Sequence, residues 1–169
     1  MASAYSVTDY LLDKANIHDT VTKMPWYYDV KSEDGLTDEV YAPEVVIDYS
    51  KILGAEPYRM TGREWASLVQ KLIQGFDSTQ HVYGPLIIEL PQPGSAPRPD
   101  KAKVLSQGNG HMVKKDARGG PLIQNGGRAI FELVRLPELE AKGQNPWRIS
   151  YQTVIVAWEK GNWAVMTPE

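Results

Sequence analysis

Four stretches in the second half of the chain constrain the fold most. Thr79 to Leu90, Ala102 to Lys115, Arg128 to Leu136 and Trp147 to Trp158 read as long strands, with no helical pattern between them. Their separators are the proline-rich Pro91 to Pro99, the glycine-rich Gly119 to Gly127, and Ala141 to Pro146. Separators of this length suit hairpins, so the strands are expected to run antiparallel, with Asn162 to Met166 finishing the sheet. Strands this long twist, and a sheet built from them must curl.

The first half reads differently. Val7, Tyr10, Ile17, Val21, Met24 and Tyr28 recur at helical spacing, with Ser6 or Thr8 available as a cap. Pro25 is expected to bend or end this helix, because it lacks an N–H and clashes with the preceding turn. Asp34-Gly35 signals a turn, Leu36 to Tyr41 a short helical turn before Pro43, Val45 to Ser50 a strand, and Gly54 to Tyr58 a loop. Thr61 and Glu64 have capping-box spacing ahead of Trp65, Leu68, Val69, Leu72 and Ile73, and Gly75 stands where that helix should stop. Residues 1–169 therefore form one α+β domain. Helices closing a curled sheet leave a deep pocket open at one end.

A formal net charge of −3 and a pI near 5.7 give no electrostatic case for nucleic acid or an anionic membrane. Cysteine is absent, which removes disulfides, thiolate nucleophiles and cysteine metal ligands. Met1 to Asp9 holds no basic-then-apolar leader, and nothing approaches the roughly 20 apolar residues of a membrane span. A cytoplasmic protein is expected.

The chain has three histidines. His81 opens one long strand and His111 lies inside the next, so a hairpin could turn both imidazoles into one concavity. Alternation puts Leu105, Gln107, Asn109, His111 and Val113 on one face, a mixture of apolar and hydrogen-bonding side chains that suits a ligand pocket. The plainer alternative is that each is a structural or surface residue; His18 is read as helix surface. An imidazole with a pKa of about 6.5 moves protons near neutral pH, and a positioned acid or base contributes ~10²–10⁴-fold in rate. Asp29 could orient an imidazole and Tyr28 could polarise a carbonyl; alternatively Asp29 caps a turn and the aromatics beside it are core. Asp48 and Tyr49 point to opposite faces, so at most one of them readily enters the pocket. Arg63 and Arg128 read as solvated surface, and Trp65, Tyr83, Phe131, Trp147 and Trp158 as core. No HExxH and no glycine-rich strand-to-helix fingerprint is present, so neither metal nor organic cofactor is expected.

The order of helix, Tyr28-Asp29, Ala42-Pro43, Ile47-Asp48-Tyr49, Thr79-Gln80-His81, His111, Trp147-Arg148-Ile149 and Trp158 resembles the SnoaL-like group of the nuclear transport factor 2-like superfamily, in its scytalone dehydratase-like branch. The resemblance implies a cone-shaped curled sheet, mixed or antiparallel, closed by N-terminal helices as an α+β barrel, and a homodimer or homotrimer. It implies a cofactor-independent lyase, isomerase or cyclase acting on a small hydrophobic polyketide- or terpenoid-like intermediate. Tyr28 and Tyr49 would hold water on a substrate carbonyl, Asp29 would support a histidine, and His81 and His111 would be the paired acid and base. Gln107, Asn109, Ile130, Phe131, Met24 and Val45 would line the substrate. The same fold also carries binding or assembly modules without catalysis, which is the alternative.

Overall fold

Ser6 opens the first helix: its side chain accepts the Asp9 N–H, satisfying one donor that a helix start leaves free. This helix, α1, spans Val7–Asp29 in the computed structural model, which describes residues 4–167 and every side chain there except that of Leu53. It runs through Pro25, where the sequence predicts a bend or an end. Met24, Pro25 and Tyr28 are all buried, and packing of that last turn outweighs the single missing N–H.

The second long helix, α2 (Gly62–Gln74), begins on a complete capping box. Thr61 Oγ1 accepts the Glu64 N–H at 3.2 Å and Glu64 Oε2 accepts the Thr61 N–H at 2.8 Å. Trp65, Ala66, Val69 and Ile73 face the core, while Leu68 and Leu72 stay exposed. Gly62 is required here: a Cβ would lie 2.3 Å from the Ala42 carbonyl oxygen.

Six strands form the sheet: β1 (Tyr41–Asp48), β2 (Tyr58–Thr61), β3 (Ser78–Glu89), β4 (Lys101–Val113), β5 (Leu122–Arg135) and β6 (Trp147–Gly161). Their order is β2-β1-β6-β5-β4-β3; β1 and β6 are parallel and the other neighbours antiparallel. The sheet curls but stays open, with β2 and β3 as free edges, so it is not a closed barrel. Its concave face carries Val104, Met112, Ile123, Phe131, Leu133 and Ile149, buried with Ile17, Val21 and Met24 of α1 and Trp65 and Val69 of α2.

Two further sequence expectations fail for identifiable reasons. β5 starts at Leu122, inside the stretch expected to be a separator, because Gly126-Gly127 marks a bulge against β6 rather than a loop. A Cβ on Gly127 would lie 2.1 Å from the Ile155 carbonyl oxygen, so glycine permits the close approach that sharpens the curl. Trp163–Met166 forms a 3₁₀ turn instead of a strand, capped by the Asn162 side chain on the Ala164 N–H.

Asp13, with no solvent exposure, ties the N-terminal segment to the sheet. Its carboxylate accepts from the Tyr5 hydroxyl (2.9 Å), the Trp147 indole (2.9 Å) and the Arg98 guanidinium (2.9 and 2.7 Å). Arg98 also meets Glu140 at 2.6 Å. Arg98 lies in the proline-rich excursion, so one carboxylate holds four separate parts of the chain. Among the described residues, no helix is long and apolar enough to cross a membrane.

Candidate active site

The last residue of α1 meets the start of β3. Asp29 Oδ1 lies 2.8 Å from His81 Nδ1 and accepts the Thr79 hydroxyl at 2.7 Å, while Oδ2 accepts the His81 backbone N–H at 2.7 Å. Burial raises the Asp29 pKa, but the hydrogen bonds from His81 and Thr79 outweigh it and hold the carboxyl below its ordinary value. The ionised carboxylate therefore fixes the tautomer, with the proton on Nδ1 and Nε2 left as the reactive nitrogen. The Tyr28 ring packs edge-on against His81, centroids 5.8 Å apart.

His111 does not join them. In the β3–β4 hairpin His81 pairs with Gly110 and Gln80 pairs with His111. Directly paired residues share a face, so the two imidazoles lie on opposite faces of the sheet. His111 Nδ1 instead lies 3.3 Å from Gln124 Nε2 on the outer face. The same phase turns Gln107 and Asn109 outward, and the pairing of Leu105 with Ile130 puts Ile130 there too. A paired-histidine mechanism across one cavity is ruled out, and these four positions leave the site. The inward place expected for His111 belongs to Gly110, where a Cβ would sit 3.2 Å from both His81 Cδ2 and Asn125 Oδ1. Asn125, opposite Gly110, is a site residue that the sequence does not single out. It lies in the glycine-rich stretch that the sequence assigns to a separator between strands. Phe131, Met24 and Val45 point inward but are buried in the core.

A chain of hydroxyls extends inward from Tyr28. Tyr28 and Tyr41 share a short hydroxyl–hydroxyl bond, Tyr41 donates to Gln152 Oε1 at 3.1 Å, and Gln152 Nε2 donates to the Tyr49 oxygen at 2.8 Å. Tyr49 packs edge-on against Trp65, whose buried indole N–H has no bonded acceptor. Burial pushes Tyr28, Tyr41 and Tyr49 upward, and Tyr83 up to about 12, so all four stay neutral near pH 7. Asp48 faces the other way, accepting from Tyr151 at 2.9 Å.

The dyad separates two spaces. Inside, bordered by His81, Tyr83, Gly108, Asn109, Gly110 and Asn125, is a small, partly open volume of about 30 Å³, the scale of one water. Outside, along the free edge of β3, is an open cleft of about 440 Å³ between Trp26, Val30, Thr22 and Val82. No lysine or arginine lines that cleft. Among the described residues, no group of three or more His, Asp or Glu side chains is placed to hold a metal ion.

Comparison with known proteins follows the same lines. The SnoaL-like domain family matches residues 9–153. No curated protein matches the sequence. Among solved structures, the Kfla4162 protein of Kribbella flavida superposes with a TM-score of 0.79 at 16% identity, over 94% of this chain and 100% of that one. A scytalone dehydratase-like protein of Novosphingobium aromaticivorans gives 0.68 at 15% identity, over 90% and 89%. Hexachlorocyclohexane dehydrochlorinase LinA-type3 of Novosphingobium barchaimii gives 0.69 at 17% identity, over 94% and 95%. At these identities the likeness is one of fold, shared with a nuclear transport factor 2-like protein of Salmonella enterica. The chain belongs to the SnoaL-like family, with the cone fold of the nuclear transport factor 2-like superfamily.

Proposed function

We propose that the chain is a cofactor-independent lyase, isomerase or cyclase whose single acid–base group is His81, acting on a small, neutral, hydrophobic ketone of polyketide or terpenoid type. The observation that carries this reading is the Asp29–His81 dyad beside neutral hydroxyl donors and an apolar cleft without cations. Similarity to a scytalone dehydratase-like protein and a dehydrochlorinase, both named for eliminations, supports the reaction class.

In this reading His81 Nε2 takes the proton from the carbon beside the carbonyl, and the electron pair moves into an enolate. Asp29 stabilises the imidazolium, and Tyr49 donates to the enolate oxygen. The imidazolium then returns its proton: to another carbon in an isomerisation, or to a departing hydroxyl, which leaves as water. One imidazole serves both halves, so proton and hydroxyl leave from the same face. The test is exchange of the α-protons of 2-tetralone, a bicyclic neutral ketone, in D₂O followed by NMR. Exchange above the buffer rate supports the reading, and none above it contradicts it.

Self-association belongs to the same proposal. The outer face carries Ile87 (60% exposed), Val82, Leu105, Ile130, Ile155 and Trp158. It also holds Lys103 and Glu132, directly paired, so this pair adds no net charge that would repel a second copy. The expected result is a dimer or trimer by light scattering, and a folded monomer for Ile130→Glu. A wild-type monomer at micromolar concentration would contradict it.

A further inference from the structure

Gln152 is a glutamine with no solvent exposure, wedged between two tyrosine hydroxyls. A phenol has one proton to give. Tyr41 gives its proton to Gln152 Oε1, which can only accept, so the short bond between Tyr28 and Tyr41 must use the proton of Tyr28. At the other end Tyr49 accepts from Gln152 Nε2, and among the described residues its own proton meets no acceptor. The amide thus decides which end of the chain keeps a free proton. Turned over, it would donate to Tyr41 and accept from Tyr49; Tyr41 would donate to Tyr28, and the free proton would move to Tyr28.

We propose that Gln152 is a positioning residue: by donating to the Tyr49 oxygen it leaves the Tyr49 proton for the substrate oxygen, and so selects Tyr49 over Tyr28 as the hydrogen-bond donor. This inference rests on the reading that Tyr49 binds a ketone or enolate oxygen.

The test uses 2-naphthol, a phenol that mimics an enol, with binding followed by fluorescence on the intact protein. Tyr49→Phe is expected to weaken binding about tenfold, the scale of one hydrogen bond. Gln152→Met should weaken it by a similar factor, and the double variant should be no weaker than Tyr49→Phe alone. A residue acting only through packing would instead give multiplying losses in the two backgrounds. Gln152→Glu keeps the shape but accepts from both tyrosines, and it too should weaken binding; it is the second variant if Gln152→Met does not fold. Independently of any ligand, the ¹³Cζ resonance of Tyr49 should shift in either folded variant. If Tyr49→Phe weakens binding while both Gln152 variants bind like wild type, the role of Gln152 is wrong and the function stands. If neither Tyr49→Phe nor His81→Ala changes binding, the function reading itself falls.

Discussion

His81→Ala should cut the proton exchange of 2-tetralone by ~10²–10⁴-fold, the contribution of one positioned acid–base group, without lowering the melting temperature by more than a few degrees. The site is partly open, and the lost contacts are the bond to Asp29 and the edge of the Tyr28 ring. Asp29→Asn should fall by a similar order, because an amide can present its NH₂ to Nδ1 and hold the opposite tautomer, turning Nε2 from acceptor into donor. The double variant should lose no more than the worse single one, since the two act as a unit. His111→Ala should exchange like wild type. Exchange is to be measured per folded molecule, with circular dichroism as the check. Loss of activity in His111→Ala together with retention in His81→Ala would reverse the assignment.

The largest stability effect is expected far from that dyad. Asp13 lies sixteen residues before Asp29 in the same helix, about 24 Å along its axis. Asp13→Ala strands the buried Tyr5 hydroxyl and Trp147 indole and leaves Arg98, 21% exposed, without its bidentate acceptor. Breaking such a pair costs about 3 kcal/mol, the low end of the range because Arg98 keeps Glu140 and some water. That corresponds to a loss of roughly 6–12 °C in Tm for a chain of this size. The pH dependence has a definite sign. Burial raises the Asp13 pKa, but hydrogen bonds from Arg98, Trp147 and Tyr5 outweigh it and hold the folded value below the ordinary 3.8. Its stabilisation is therefore complete above pH 3.8 and lost as the pH falls below that through the folded value; Asp29, also lowered, adds in the same sense. Calorimetry between pH 5 and 2 should show a steeper fall of Tm in wild type than in Asp13→Ala. Equal slopes would mean that Asp13 is not ionised in the fold.

The sequence makes the architecture legible and the pocket only half so. The capping box at Thr61, the strand lengths and the helical stripe of α1 are local properties, and they appear where the pattern puts them. The curvature is less local. Gly126-Gly127 looks like a loop in one dimension and acts as a bulge in three, which hid both the first half of β5 and Asn125. Alternation in β4 correctly divides the strand into two rows, yet it does not say which row is concave. The mixed row holding His111 has the composition of a pocket lining, whereas the concave row is Val104, Ser106, Gly108, Gly110 and Met112. Its glycines make room: a Cβ on Gly108 would lie 2.7 Å from the Tyr83 ring. Only the partners supplied by β3 and β5 fix that choice, and they are not visible in β4 alone. Tyr41 and Gln152 are illegible in the sequence for the same reason, since a buried polar link between two strands leaves no mark in either one.

The central claim is that one histidine, His81, faces the substrate. Its most direct test is the imidazole ¹H–¹⁵N spectrum of the protein titrated with 2-naphthol. The account predicts that the His81 signals move on binding while those of His18 and His111 stay fixed. Movement of His111 with a stationary His81 would contradict it.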